Sequence, residues 1–200
     1  MLALPLLALS LVADRFIPAL AEVTQASKCI SLYAMGARMV PLRAVLAAVL
    51  ISTSAAVSEE LAFRGCLQTG LVALFSCVPA LPAAAPVAIA VVAQAAIFGA
   101  LHSYSARYEY LATATVAGLA FGWAFAATSN IFVPMVMHLI VDVVGFLACH
   151  WQVTRASAAE QRALLDSDMP IAQQLAAVLG PRLAARSGDE AAKADEAADV

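Results

Sequence analysis

The charged residues best suited to catalysis are Glu59, Glu60 and Arg64, which are the only charged residues between Val45 and Phe98. A charged side chain at bilayer depth costs about 3 kcal/mol or more, so three charges in one patch indicate a functional or structural role. Glu60 and Arg64 share a helix face at i and i+4 and can pair, whereas Glu59 is rotated by about 100°. We therefore predict one carboxylate neutralised by Arg64 and one facing a cavity as acid or base. The alternative is a buried structural ion pair.

Two patches that contain histidine follow on later apolar runs. His102 ends one run, with Phe98 one helical turn before it. His138 and Asp142 stand at i and i+4 on another, so the carboxylate can accept from one ring nitrogen and leave the other for a substrate, water or metal. The alternatives are an interfacial or capping histidine at position 102 and an interhelical polar clamp at 138 and 142.

The three patches are more informative together than separately. Convergence of three helices on one polar cavity explains how each costly group avoids lipid. Such a cavity can bind and activate water, because a carboxylate can take its proton while histidines stabilise the oxyanion or hold a metal. The predicted site residues are Glu59, Glu60, Arg64, His102, His138 and Asp142.

The composition predicts a membrane protein. The chain has 200 residues, of which 63% are hydrophobic and 12% charged, whereas soluble domains are about 45–50% apolar. Long Ala, Leu and Val runs without strand alternation predict an all-α, polytopic membrane helical bundle with about four to six membrane-embedded helices. The net charge is −3 with no basic cluster, which excludes nucleic acid as an expected partner. Four cysteines without C-x-x-C spacing predict neither disulfides nor zinc–thiolate sites.

The chain divides into three parts by composition. Residues 1–43 form an N-terminal apolar and interfacial segment, and 44–152 form the apolar core. Residues 153–200 form a polar, Ala-rich tail that we expect to be partly disordered. Within the first part, Met1 to Val12 is short for a span and lacks the positive region of a signal peptide.

Within the core, the first apolar run extends to about Val78. It is too long for one upright span, so we expect it to tilt, protrude or break near Gly65 or Gly70. Further helices are predicted at about 87–102, 110–128 and 132–151, and a surface helix is possible at 154–179.

Three motifs in this order resemble the CAAX-protease and bacteriocin-processing (CPBP, or Abi) intramembrane proteases. Their pattern is EExxxR, then FxxxH, then HxxxN or HxxxD, and the resemblance covers roughly residues 44–150. It implies a multi-pass endopeptidase surrounded by membrane lipids that cleaves membrane-associated or prenylated proteins. The matching motifs are Glu59-Glu60-x-x-x-Arg64, Phe98-x-x-x-His102 and His138-x-x-x-Asp142.

The resemblance also implies a role for each site residue. Glu59 corresponds to the general base that activates water, and Glu60 and Arg64 order the site. His102 positions the water or the substrate carbonyl, while the pair His138–Asp142 stabilises the oxyanion. Many family members carry Asn where this chain carries the Asp.

The motifs do not determine whether the protein uses a metal cofactor. A glutamate mechanism without a cofactor is favoured, because the zinc motif H-E-x-x-H is absent from the sequence. Zinc remains possible, with Glu59, His102 and His138 as its ligands. The alternative to an enzyme is a non-catalytic membrane scaffold, or a proton or ion pathway, built on the same helices.

Overall fold

The computed structural model describes residues 21–102, 107–167 and 170–179. These residues form helices and connecting turns, and none of them lies in a strand, which confirms the predicted all-α class. The short apolar segment Met1 to Val12 and the tail beyond residue 179 lie outside the described residues.

The helices follow one another with short connections. Four segments of the described chain are long and apolar enough to cross a membrane: Pro41–Ser76, Ala85–His102, Leu111–Thr128 and Phe132–Val153. The described helices are α1 (Ala21–Met35), α2 (Pro41–Glu60), a π-helical segment (Leu61–Gln68), α3 (Thr69–Ser76), α4 (Ala85–His102), α5 (Arg107–Thr128), α6 (Phe132–Val153), α7 (Ala158–Leu165) and α8 (Pro170–Leu179).

Of the three alternatives considered for this long apolar run, a break near Gly65 or Gly70 does not occur. The chain stays helical from Pro41 to Ser76 and instead adopts π-helical geometry over Leu61–Gln68. A glycine in a helix costs only about 1 kcal/mol. An unsatisfied backbone group in lipid costs several, so the chain retains its internal hydrogen bonds.

The described residues fall into two compact units. The first contains residues 50–142 and therefore all six predicted site residues. Within it, α4 and α5 pack at very short range: a Cβ on Gly118 would lie 3.0 Å from Ala95 Cα, and one on Gly99 would collide with the Thr115 side chain. Small residues at such a contact let two membrane helices approach closely.

The second unit contains residues 21–49 and 143–179. Its apolar core includes Leu32 and Val153, and Gln161 donates to the Val153 carbonyl at 2.9 Å. The single surface helix considered for residues 154–179 is instead two helices, α7 and α8. α7 ends at Leu165, where the Asp166 backbone N–H donates to the Arg162 carbonyl, and α8 begins at Pro170.

Candidate active site

The buried ion pair expected from the i, i+4 spacing is present where α2 passes into the π-helical segment. Arg64 Nη1 donates to Glu60 Oε1 at 3.0 Å, and both side chains are 0% exposed. The guanidinium carbon lies 5.0 Å from the Phe98 ring centroid and 5.3 Å from that of Phe121. These aromatic faces add cation–π stabilisation to a charge that is fully buried.

His138 lies between two carboxylates. Its Nδ1 atom is 2.9 Å from Glu60 Oε1, and its Nε2 atom is 3.4 Å from Asp142 Oδ2. The ring also stacks on Phe121, with centroids 5.1 Å apart. A carboxylate only accepts hydrogen bonds, so a doubly protonated ring satisfies both contacts at once. The position of His138 therefore favours a cationic donor.

His102 is oriented by its own helix. Its Nδ1 atom lies 2.7 Å from the Phe98 carbonyl oxygen, one turn earlier in α4. A carbonyl oxygen only accepts, so Nδ1 is the nitrogen that donates to it. The other ring nitrogen, Nε2, faces Glu59, whose Oε2 atom is 3.7 Å away.

Glu59 occupies a different environment from the adjacent Glu60. Its Oε2 atom lies 3.7 Å from His102 Nε2 and 3.9 Å from His138 Nε2, and its side chain is 29% exposed. These separations are longer than a direct hydrogen bond, so the three atoms can share a water that lies beside them. The structure thus brings the Glu59 carboxylate close to one ring nitrogen of each histidine.

A zinc ion does not fit these residues as they are arranged. One Glu and two His are suitable zinc ligands by type. However, both ring nitrogens of His138 face carboxylate oxygens, and a nitrogen that donates to a carboxylate is not free to bind a metal. Among the described residues, no group of three or more His, Cys, Asp or Glu side chains is arranged to hold a metal ion.

Two buried glutamines beside the site were not identified from the sequence. Gln68 Nε2 donates to the Gly122 carbonyl at 3.0 Å, and Gln94 Nε2 donates to the Gly118 carbonyl at 2.9 Å. A signal for them existed, because each lies four residues from a motif residue and so continues one face of its helix. The two faces are Glu60, Arg64, Gln68 and Gln94, Phe98, His102.

Comparison with known proteins identifies the family. The model of the family "Type II CAAX prenyl endopeptidase Rce1-like" matches residues 41–144, more than half of the chain and a range that includes all six predicted site residues. No curated protein and no solved structure gives a significant match. The family match and the four apolar helices make this an integral, multi-pass membrane protein in a lipid environment, and an intramembrane protease of the CAAX type. The chain belongs to the Rce1-like family of type II CAAX prenyl endopeptidases, as the three motifs predicted.

Proposed function

We propose that this protein hydrolyses peptide bonds of membrane-associated or prenylated proteins with a water molecule that Glu59 activates. The observation that carries the proposal is the position of Glu59 Oε2, 3.7 Å from His102 Nε2 and 3.9 Å from His138 Nε2. A general base must reach its proton at hydrogen-bond distance or through one water.

In the first step, water lies between Glu59 and His102. The His102 Nε2 lone pair accepts one O–H of the water, and the Glu59 carboxylate accepts the other. Glu59 then takes that proton as the water oxygen bonds to the carbonyl carbon of the scissile peptide. The carbonyl π bond breaks, and its electron pair becomes the oxyanion of a tetrahedral intermediate.

The Nε2–H of His138, whose contact with Asp142 is long at 3.4 Å, also donates to that oxyanion and stabilises it. The ring is held by Glu60 on one side and by Asp142 on the other, so it is in place before the substrate arrives. A pre-oriented cationic donor in a site with little water stabilises developing negative charge strongly, because nothing has to reorganise during the reaction. The Glu60–Arg64 pair keeps this ring in position rather than touching the reacting atoms.

In the second step, the intermediate collapses. The carbonyl forms again, the C–N bond breaks, and the protonated Glu59 returns its proton to the leaving amine. The products are a carboxylic acid and an amine, and the carboxylate base is restored. Each site residue thus has a role in a cycle that needs no further reactant.

The experiment that tests the proposal is cleavage by Glu59→Gln in lipid nanodiscs. The substrate is a fluorogenic peptide with a prenylated cysteine three residues from its carboxyl end. The amide keeps the shape of the side chain but is a very poor base, so we expect kcat to fall about 10²- to 10⁴-fold. Glu160→Gln, which changes an exposed carboxylate in the second unit, is the matched control and keeps wild-type activity. A Glu59→Gln protein as active as wild type would overturn the role of Glu59.

A proton pathway is a second candidate, because Glu60, His138 and Asp142 form a series with separations of 2.9 and 3.4 Å. Ionisable groups within membrane segments commonly form proton relays. Proteoliposomes that hold a pH-sensitive dye distinguish the two functions. Proton flux that depends on Asp142 without peptide cleavage would favour the pathway.

A further inference from the structure

Two carbonyl oxygens on α5 receive the buried side chains beside the site. The Gly118 oxygen accepts from Arg64 Nη2 at 3.1 Å and from Gln94 Nε2 at 2.9 Å. The Gly122 oxygen, one turn further along, accepts from Gln68 Nε2 at 3.0 Å. One atom of α5 thus joins the π-helical segment to α4, and a second contact repeats the connection one turn later.

These contacts form a ladder. Arg64 and Gln68 are four residues apart, as are Gly118 and Gly122, so both rungs join residues with the same offset in sequence. Two hydrogen bonds with the same sequence offset fix the axial register of one helix against the other, which a single hydrogen bond cannot do. Each donor is fully or almost fully buried, so no water competes for the carbonyls.

The ladder requires glycine at both positions on α5. A Cβ on Gly122 would lie 2.5 Å from Gln94 Nε2 and 3.0 Å from Gln68 Oε1. A Cβ on Gly118 would lie 3.0 Å from Ala95 Cα. Any larger residue would therefore push the amide groups or the helices away from the carbonyls that they bind.

We infer that Gln68 and Gln94 are positioning residues, which set the register of the π-helical segment against α5 and thereby the placement of Glu59. The inference rests on the proposed function, because Glu59 is the reacting base. Neither glutamine touches the reacting atoms. Each glutamine acts on the reacting atoms indirectly, through the backbone of α5, to which Arg64 also binds.

Register matters here because the distances around Glu59 leave little tolerance. One residue along a helix is a rise of about 1.5 Å. Glu59 Oε2 stands 3.7 and 3.9 Å from the two ring nitrogens, close enough for all three atoms to reach one water beside them. A slide of that size would take the base out of reach of either water or histidine, and misplacement by about 1 Å can cost 10²-fold in rate.

The first test is the kinetics of Gln68→Met and Gln94→Met in nanodiscs, with the peptide substrate used above. Methionine keeps the length of the side chain and removes the donor. We expect kcat to fall about 10- to 100-fold for each variant while KM stays within about threefold, because transition-state stabilisation is lost and substrate binding is not.

The matched control is Gln161→Met. Gln161 is also a buried glutamine that donates to backbone carbonyls, but it lies in the second unit. We expect its thermal stability to fall and its kcat to remain that of wild type. An equal loss of kcat in Gln161→Met would show that the effect is general destabilisation, which overturns the inference.

The second test adds a methyl group without removing a donor. Gly122→Ala forces Gln94 and Gln68 away from their positions, and we expect the same fall in kcat. Gly70→Ala is its control, because a Cβ at Gly70 has no heavy atom within 4 Å, and we expect unchanged activity. Wild-type kcat in Gly122→Ala and in both methionine variants would overturn the inference and leave the proposed function intact. A wild-type protein that cleaves no peptide would instead overturn the proposed function.

Discussion

His138 Nδ1 lies 2.9 Å from Oε1 of Glu60, the same oxygen that accepts from Arg64 at 3.0 Å. One carboxylate oxygen therefore joins two motifs that are 78 residues apart in sequence. The structural ion pair and the catalytic site need not be alternative explanations of the charged patch. The ion pair supports the ring that we propose as the oxyanion donor.

We predict that Glu60→Gln lowers both stability and activity. The substitution leaves a buried guanidinium and a buried imidazole without their shared negative charge. Loss of one partner of a buried pair typically costs about 3–5 kcal/mol. Thermal unfolding in nanodiscs, followed by tryptophan fluorescence, measures the stability, and peptide cleavage measures the activity. Unchanged stability would contradict the pairing described here.

The double variant Glu60→Gln, Arg64→Met separates these two effects. Replacing both members of a buried ion pair by uncharged groups is often nearly neutral for stability. We therefore expect most of the lost stability to return while cleavage stays low, because His138 still lacks the charge that orients it. A double variant less stable than either single variant would argue against an ion pair at this position.

Asp142 allows a test of charge against hydrogen bonding. Its Oδ2 atom lies 3.4 Å from His138 Nε2, and Asn keeps an acceptor oxygen there whereas Leu does not. We expect kcat of Asp142→Asn within about tenfold of wild type and that of Asp142→Leu lower by about 10²-fold. If the Asn and Leu variants were equally impaired, the negative charge rather than the hydrogen bond would be the essential property.

Chelators test the cofactor. We expect cleavage to survive incubation with 1,10-phenanthroline, because both nitrogens of His138 face carboxylate oxygens to which they can donate. Activity is measured before and after removal of the chelator, with a zinc-dependent peptidase as the positive control. Loss of cleavage that added zinc restores would move the mechanism to a metal ion held by Glu59, His102 and His138.

The start of α7 gives a pH-dependent contribution to stability. The Ser157 backbone N–H and hydroxyl both donate to Glu160, which lowers the pKa of that carboxyl in the folded protein. A lowered folded-state pKa stabilises the protein above the unfolded-state pKa, and the contribution disappears as pH falls through the folded value.

Glu160→Gln should therefore lower the Tm at neutral pH, and its difference from wild type should shrink as the carboxyl becomes protonated at acidic pH. The measurement is a series of thermal melts between pH 7 and pH 3. Arg162→Gln, three residues before the end of α7, controls for a general effect of a charge change in this helix. A difference that stays constant with pH would contradict the capping interaction as its cause.

The sequence by itself determined the class of protein and much of the candidate site. Charges are so costly in lipid that three polar patches on apolar helices had to face a shared interior. The helical period then placed Glu60 with Arg64 and His138 with Asp142, because residues four apart share a face in any helix. The same period extends to Gln68 and Gln94, which were missed because an uncharged amide in an apolar run gives a weaker signal than a charge.

Only the tertiary structure decided which groups of different helices meet. Leu61–Gln68 forms a π-helix and does not break at a glycine, because backbone N–H and C=O groups within a membrane must hydrogen-bond to each other. The sharing of Glu60 by Arg64 and His138, and of the Gly118 carbonyl by Arg64 and Gln94, depends on the separation and register of packed helices. Those quantities arise from side-chain volumes at the contacts between helices, and no spacing within a single helix encodes them. The charged patch was thus visible in the sequence, whereas the 3.7 and 3.9 Å that separate Glu59 from the two histidines were not.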